Sequence, residues 1–176
     1  MQKSTEFSRR RKNKALLFLK ELCAEDIVNH SLAVSKKARE IADRIKANGH
    51  DIDPDFVEIG AILHDIGRSK SHGIDHGIKG SEILRNSEFS EFARICEVHL
   101  GAGIDKEEAA SLGLPARDYL LETLEEKVIA HADNLTADKE YVPISETIKK
   151  MEKKLGKGHP AIRWIKELND FINSLS

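Results

Sequence analysis

The chain has 176 residues, 28 Lys and Arg against 30 Asp and Glu, and a formal net charge of −2 with its histidines neutral. That length suits one domain, 1–176, able to bury a core and a site without disulfides. The near-balanced charge leaves no footprint for bulk nucleic acid or an anionic membrane, and no stretch approaches the roughly 18 to 20 apolar residues of a membrane span.

Apolar residues recur at three- and four-residue spacing almost throughout, with no sustained alternation, so the expected fold is all-α. Ala15, Leu16, Leu19 and Leu22 mark a first helix, and the basic run Arg9 to Lys14 reads as its solvated end. A second helix is expected from an N-cap at Asp26 through Val34, Ala38, Ile41 and Ile45 to a stop at Asn48-Gly49. Asp53-Pro54 restarts the chain as N-cap and first-turn proline, leading through Phe56, Ile59 and Ile62 into His64-Asp65, where Gly67 ends the helix.

Residues 68–77 read as a polar, glycine-interrupted loop. Helices are then expected over 76–85 and 88–100, a short one over 106–112, a long one over 121–138, and two more over 144–155 and 160–175. Cys23 and Cys96 lie far apart, form no CxxC pair and sit among apolar helical residues, as buried thiols in a reducing compartment would. Residues 1–14 carry no signal-peptide core, so the expected location is the cytoplasm.

His30 lies on the apolar stripe continued by Val34, Ala38, Ile41 and Ile45, so it should point inward. A buried histidine alone is usually a hydrogen-bonded core residue. His64-Asp65 is more informative, because an imidazole and a carboxylate closing the apolar run Ala61-Ile62-Leu63 are expensive to bury uncompensated. A divalent cation (Mn, Fe, Co, Ni, Zn or Mg) removes that penalty by binding neutral imidazole nitrogen and ionised carboxylate oxygen. Asp133 is a further carboxylate in an apolar helical segment, Val128 to Leu135, where a salt bridge is the plainer explanation.

The order of a histidine, a His-Asp pair and a late aspartate on three helices resembles the HD superfamily of metal-dependent phosphohydrolases, over about 27–138. The segment Ala61-Ile62-Leu63-His64-Asp65-Ile66-Gly67-Arg68 is similar to its HDIG subgroup. The resemblance implies an HD helical bundle with its metal site in the core, and ligand roles for His30, His64, Asp65 and Asp133. Relatives with two metals bridge them through the Asp of the pair and use two intervening histidines. Here His76, with Gly80 four residues later, and His99 offer that second set, the alternative being that they contact phosphate or cap helices; His72 could stand in for His76. In many binuclear relatives the last of these histidines is doubled, whereas Leu100 follows His99 here, and the Gly-Tyr-Pro signature of cyclic dinucleotide phosphodiesterases is missing.

The expected function is hydrolysis of a nucleotide-like phosphomonoester or phosphodiester, with a cyclic phosphate among the candidates, by hydroxide on one or two ions, with Asp65 and His64 as catalytic residues. Arg68, Lys79 and His72 are the candidate phosphate contacts. The alternatives are a nucleoside polyphosphate pyrophosphohydrolase, a non-catalytic nucleotide sensor of the same fold and a di-iron oxygenase. The expected partner is a small phosphate ester; no membrane is expected, and an oligomer is left open.

Overall fold

The three- and four-residue apolar spacing becomes helix along most of the chain. The computed structural model describes residues 2–176, with side chains from Glu6 onward. It contains α1 (Gln2–Leu22), α2 (Glu25–Ala47), α3 (Pro54–Leu63), α4 (His76–Arg85), α5 (Ala93–Val98), α6 (Lys106–Ser111), α7 (Leu124–Asn134), α8 (Ile144–Leu155) and α9 (Pro160–Leu175). Single 3₁₀ turns at Ile66–Ser69 and Ser90–Phe92 interrupt the run, and β1 (Thr136–Ala137) pairs antiparallel with β2 (Glu140–Tyr141). Among the described residues, no helix is long and apolar enough to cross a membrane.

The result is an all-α bundle centred on α3, which packs against α1, α2, α5 and α7. Because α3 has neighbours on most sides it is apolar nearly all round, burying Val57, Ile59, Ala61, Ile62 and Leu63. Against it lie Leu19 of α1, Val34, Ala38, Ile41 and Ile45 of α2, and Val128, Ile129 and Ala132 of α7. Ile129 is fully buried. Ile129→Ala is expected to cost about 2–5 kcal/mol in urea unfolding, from lost transfer energy and the cavity left behind.

Several boundaries follow the local chemistry that the sequence displays. Asp53 caps α3 by accepting from the Asp55 and Phe56 amides, with Pro54 in the first turn. Others are shifted. Helix α2 begins at Glu25, capped by Ala24, so Asp26 lies inside the first turn, where its charge suits the positive helix end. The helix expected over 88–100 is split, because Phe89 and Phe92 both enter the core and their three-residue spacing lines up on a 3₁₀ turn.

The helix expected over 121–138 starts only after Thr123, in a capping box in which Thr123 and Glu126 satisfy each other's amides. It ends at Asn134 and gives way to the hairpin, whose turn residue Asp138 adopts a left-handed φ of 53°. The basic run of α1 is only partly a solvated end: Arg11, Lys12 and Lys14 pair with Glu91, Glu58 and Glu88. Cys96 is buried and Cys23 half-buried, and both are free thiols.

Candidate metal centre

Helix ends build the site. His64 caps the C-terminus of α3 and Asp65 precedes the 3₁₀ turn; His76 opens α4, His99 caps α5, and Asp133 stands one residue from the end of α7. His30 projects from the second turn of α2. Backbone leaves regular helix at these points, so side chains from different helices can converge without the helices colliding.

His30 Nε2 is 3.0 Å and His64 Nε2 3.6 Å from Asp133 Oδ1. Both nitrogens are 3.9 Å from Asp65 Oδ2. On the other side, His76 Nε2 is 3.0 Å and His99 Nε2 3.5 Å from Asp65 Oδ1, and the two imidazole nitrogens are 3.3 Å apart. Asp65 thus turns one oxygen towards His30 and His64 and the other towards His76 and His99. Among the described residues, two overlapping groups can hold an ion: His30, His64 and Asp133, and His64, Asp65 and His99. His76 adjoins the second group through its contacts with Asp65 and His99.

Each ring has a backbone carbonyl on its far side, which assigns the proton of the neutral imidazole to Nδ1. Nδ1 of His30 donates to the Asp138 carbonyl, that of His64 to Ala61, that of His76 to Gly73 and that of His99 to Cys96, at 2.7 to 2.8 Å. A carbonyl only accepts, so in each neutral ring Nδ1 carries the hydrogen and Nε2 presents a lone pair to the cluster. Four nitrogen lone pairs and two carboxylates then face one another, and the donor that reaches them is Arg68 Nε, on Asp65 Oδ2. His64 Nε2 and Asp65 Oδ1 are buried without a hydrogen-bond partner. Acceptors packed this way repel unless a cation lies between them, and backbone-anchored imidazoles are the usual second shell of a metal ligand.

Without an ion, the same carboxylates act on a proton instead. Burial opposes charge on His64, yet the carboxylates of Asp65 and Asp133 outweigh it and push its pKa up to about 9. Burial likewise opposes ionisation of Asp65, but His64, His76 and His99 hold its carboxyl well below the usual carboxylate range; His30 and His64 do the same for Asp133. The field that draws a proton onto His64 would draw a divalent cation more strongly. This buried His/Asp cluster is consistent with a divalent-metal site, and the donors present fit one.

His30, Asp65 and Asp133 open onto a cavity of about 800 Å³. Arg68 lines it and donates from Nε to Asp65 Oδ2 at 2.7 Å. Two other phosphate candidates lie elsewhere: Lys79 pairs with Glu82 along α4, and His72 is exposed in the loop, neither lining the cavity. The cations that do reach it besides Arg68 are Lys139 of the hairpin turn and Lys150 of α8. Neither was marked by a motif; the turn was hidden within an expected helix. His131, two residues before Asp133, is buried apart from the cluster, and burial pushes its pKa down to about 4.

A helical bundle whose His and Asp side chains converge on an ion site defines the class of protein. The chain belongs to the HD domain family, whose model matches residues 27–138. It is 56% identical over 163 residues to an uncharacterized protein of Methanocaldococcus jannaschii, covering 92% of this chain and 96% of that one. It is 42% identical over 165 residues to a tRNA (cytidine(56)-2'-O)-methyltransferase of Picrophilus torridus, covering 93% of this chain and 46% of the relative. A protein of the same name from Thermoplasma volcanium is 39% identical over 139 residues, 78% of this chain and 40% of its own length. The chain therefore spans less than half the length of these two relatives. No solved structure matches it.

These relatives correct the expected function. Both named proteins are 2'-O-methyltransferases of tRNA, not hydrolases of phosphate esters, so the phosphohydrolase expectation and its hydroxide step are withdrawn. The physical reason is that converging imidazoles and carboxylates specify a cation, whereas the reaction depends on what else the cation meets.

Proposed function

We propose that this chain is a divalent-metal-binding HD unit of a tRNA 2'-O-methylation system, its cavity taking a phosphate-bearing, nucleotide-like group beside the metal centre. The observation that carries the metal half of this reading is the convergence of four imidazoles and two carboxylates, with His64 Nε2 and Asp65 Oδ1 buried and unpartnered. The names of two relatives aligned with most of this chain support the tRNA half.

In this reading His30, His64, Asp65 and Asp133 would hold one ion, and Asp65, His76 and His99 would hold a second. A set of imidazoles and carboxylates without thiolate suits Fe, Co, Ni or Zn better than Mg. A divalent ion bound there supplies positive charge against a phosphate or hydroxyl oxygen. Arg68 keeps Asp65 in place, and with Lys139 and Lys150 it gives the cavity its phosphate-facing cations. The carbonyls of Ala61, Gly73, Cys96 and Asp138 keep each ring turned to the centre.

The deciding experiment measures transfer of labelled methyl groups to a tRNA transcript, with the metal-loaded chain alone and added to a tRNA 2'-O-methyltransferase. The chain is expected to methylate the transcript or to change the added enzyme's rate, and to lose that effect on chelation. No change under either condition overturns the reading. For the two-ion arrangement, His76→Ala is expected to lower bound metal from about two ions to about one by elemental analysis; an unchanged count restricts His76 to another role.

A further inference from the structure

We infer that the outer face of α8 is a docking surface for the sugar-phosphate backbone of RNA, leading to the metal cavity; this rests on the tRNA reading above. On a helix of 3.6 residues per turn, Lys149, Lys150, Lys153 and Lys154 fall on one arc, opposite the apolar side formed by Ile144, Ile148, Met151 and Leu155. All four lysines are exposed, and none takes part in the ion pairs among the described residues, in contrast to Arg11, Lys12, Lys14, Arg39, Arg85 and Arg94, which each meet a carboxylate.

The arrangement works against the helix that carries it. Lys149 with Lys153, and Lys150 with Lys154, are like charges four residues apart, a spacing that destabilises an isolated helix. The C-terminal end of the helix dipole favours Lys153 and Lys154, which lie in the last turn. Lys149 and Lys150, a turn further back, have Glu146 three and four residues before them, which offsets part of the repulsion and leaves four lysines to one carboxylate on this arc. A polyanion removes the repulsion and uses the charge.

Position links this face to the metal centre. Thr147, Lys150 and Met151 form the wall of the cavity that opens onto His30, Asp65 and Asp133, and the Thr147 hydroxyl donates to the Asn134 carbonyl at 2.6 Å, beside Asp133. A phosphate chain following the lysine arc would therefore reach the cavity rim at Lys150. A bilayer is the poorer fit: the apolar residues of α8 are all half-buried against the protein, leaving only charge to face outward. The whole-chain charge of −2 conceals this local surplus of four lysines over the one acid on the same arc, Glu146.

The experiment is filter binding of a tRNA transcript by the metal-loaded full chain across a salt series. It compares wild type with the triple variant Lys149→Gln, Lys153→Gln, Lys154→Gln and with a charge-matched control, Lys20→Gln, Lys36→Gln, Lys106→Gln. The α8 variant is expected to bind at least about tenfold more weakly and to lose about 2 to 3 from the log–log salt slope, the control retaining wild-type affinity. Metal content and helical circular dichroism should match wild type in both. If all three proteins bind equally, the docking surface is wrong while the tRNA reading stands. If wild type binds no transcript, both fall, and binding to phosphatidylserine vesicles in its place would assign α8 to a lipid surface.

Discussion

Asp65→Ala is expected to weaken metal binding by at least about 100-fold at both halves of the site while leaving the helical circular dichroism of the bundle intact. The two oxygens of Asp65 face different histidine pairs, so one truncation removes a group from each. The fold should tolerate this, because the ion-free protein no longer buries a carboxylate among lone pairs. A metal that binds only the folded chain stabilises it by mass action. Chelator should therefore lower the melting temperature of wild type and leave that of Asp65→Ala unmoved. Wild-type metal content in the variant would remove Asp65 from the centre of the site, and a chelator-insensitive wild type would argue against a structural contribution from the ion.

Gly67→Ala should be more damaging to the fold than any single change of a ligand. A Cβ built on Gly67 would run into the His76 carbonyl oxygen and the backbone of Gly80, and one on Gly80 would stand 3.0 Å from the Cβ and Sγ of Cys96. Backbone thus lies on backbone where the 3₁₀ turn after Asp65 meets α4, and α4 meets α5 next to it. That contact brings His76 and His99 to Asp65. Rigid backbone atoms cannot swing aside as a flexible side chain would, so a destabilisation of about 3 kcal/mol or more is expected, at or above the upper end of ordinary overpacking. Urea unfolding together with a metal count would test it. A variant of wild-type stability with both ions bound would show that the turn and α4 can separate without loss.

The glycine contacts show how far this site could be read from the residues. The Ile66-Gly67 step and the spacing from His76 to Gly80 were visible as pattern, but their reason is a close approach between segments that no local signal encodes. His30 was expected to point inward from the stripe of α2. It does reach the His/Asp cluster, at the edge of the cavity and partly exposed, with its ring turned by the Asp138 carbonyl. That carbonyl is available only because the chain leaves helix after Asn134 for a hairpin, and the hairpin is in turn held to α2 by the Tyr141 hydroxyl donating to Ala33 and by Lys37 over the Tyr141 ring. Lys79 looked like a phosphate contact because it is near His76 in sequence, yet it pairs with Glu82 along α4 and does not line the cavity. Lys150, far away in sequence, reaches the cavity.

Hydropathy period and caps by themselves determined an all-α bundle, while the candidate donors were legible through the order of His30, His64-Asp65 and Asp133 that resembles the HD superfamily. Such signals act within a few residues, and a 3.6-residue repeat reports which face of a helix is buried. It carries no information on which other helix that face will meet. Packing alone decided that Asp65 stands between two histidine pairs, that Arg68, Lys139 and Lys150 are the cations of the cavity, and that the lysines of α8 lie beside it, because each depends on contacts between segments far apart in the chain.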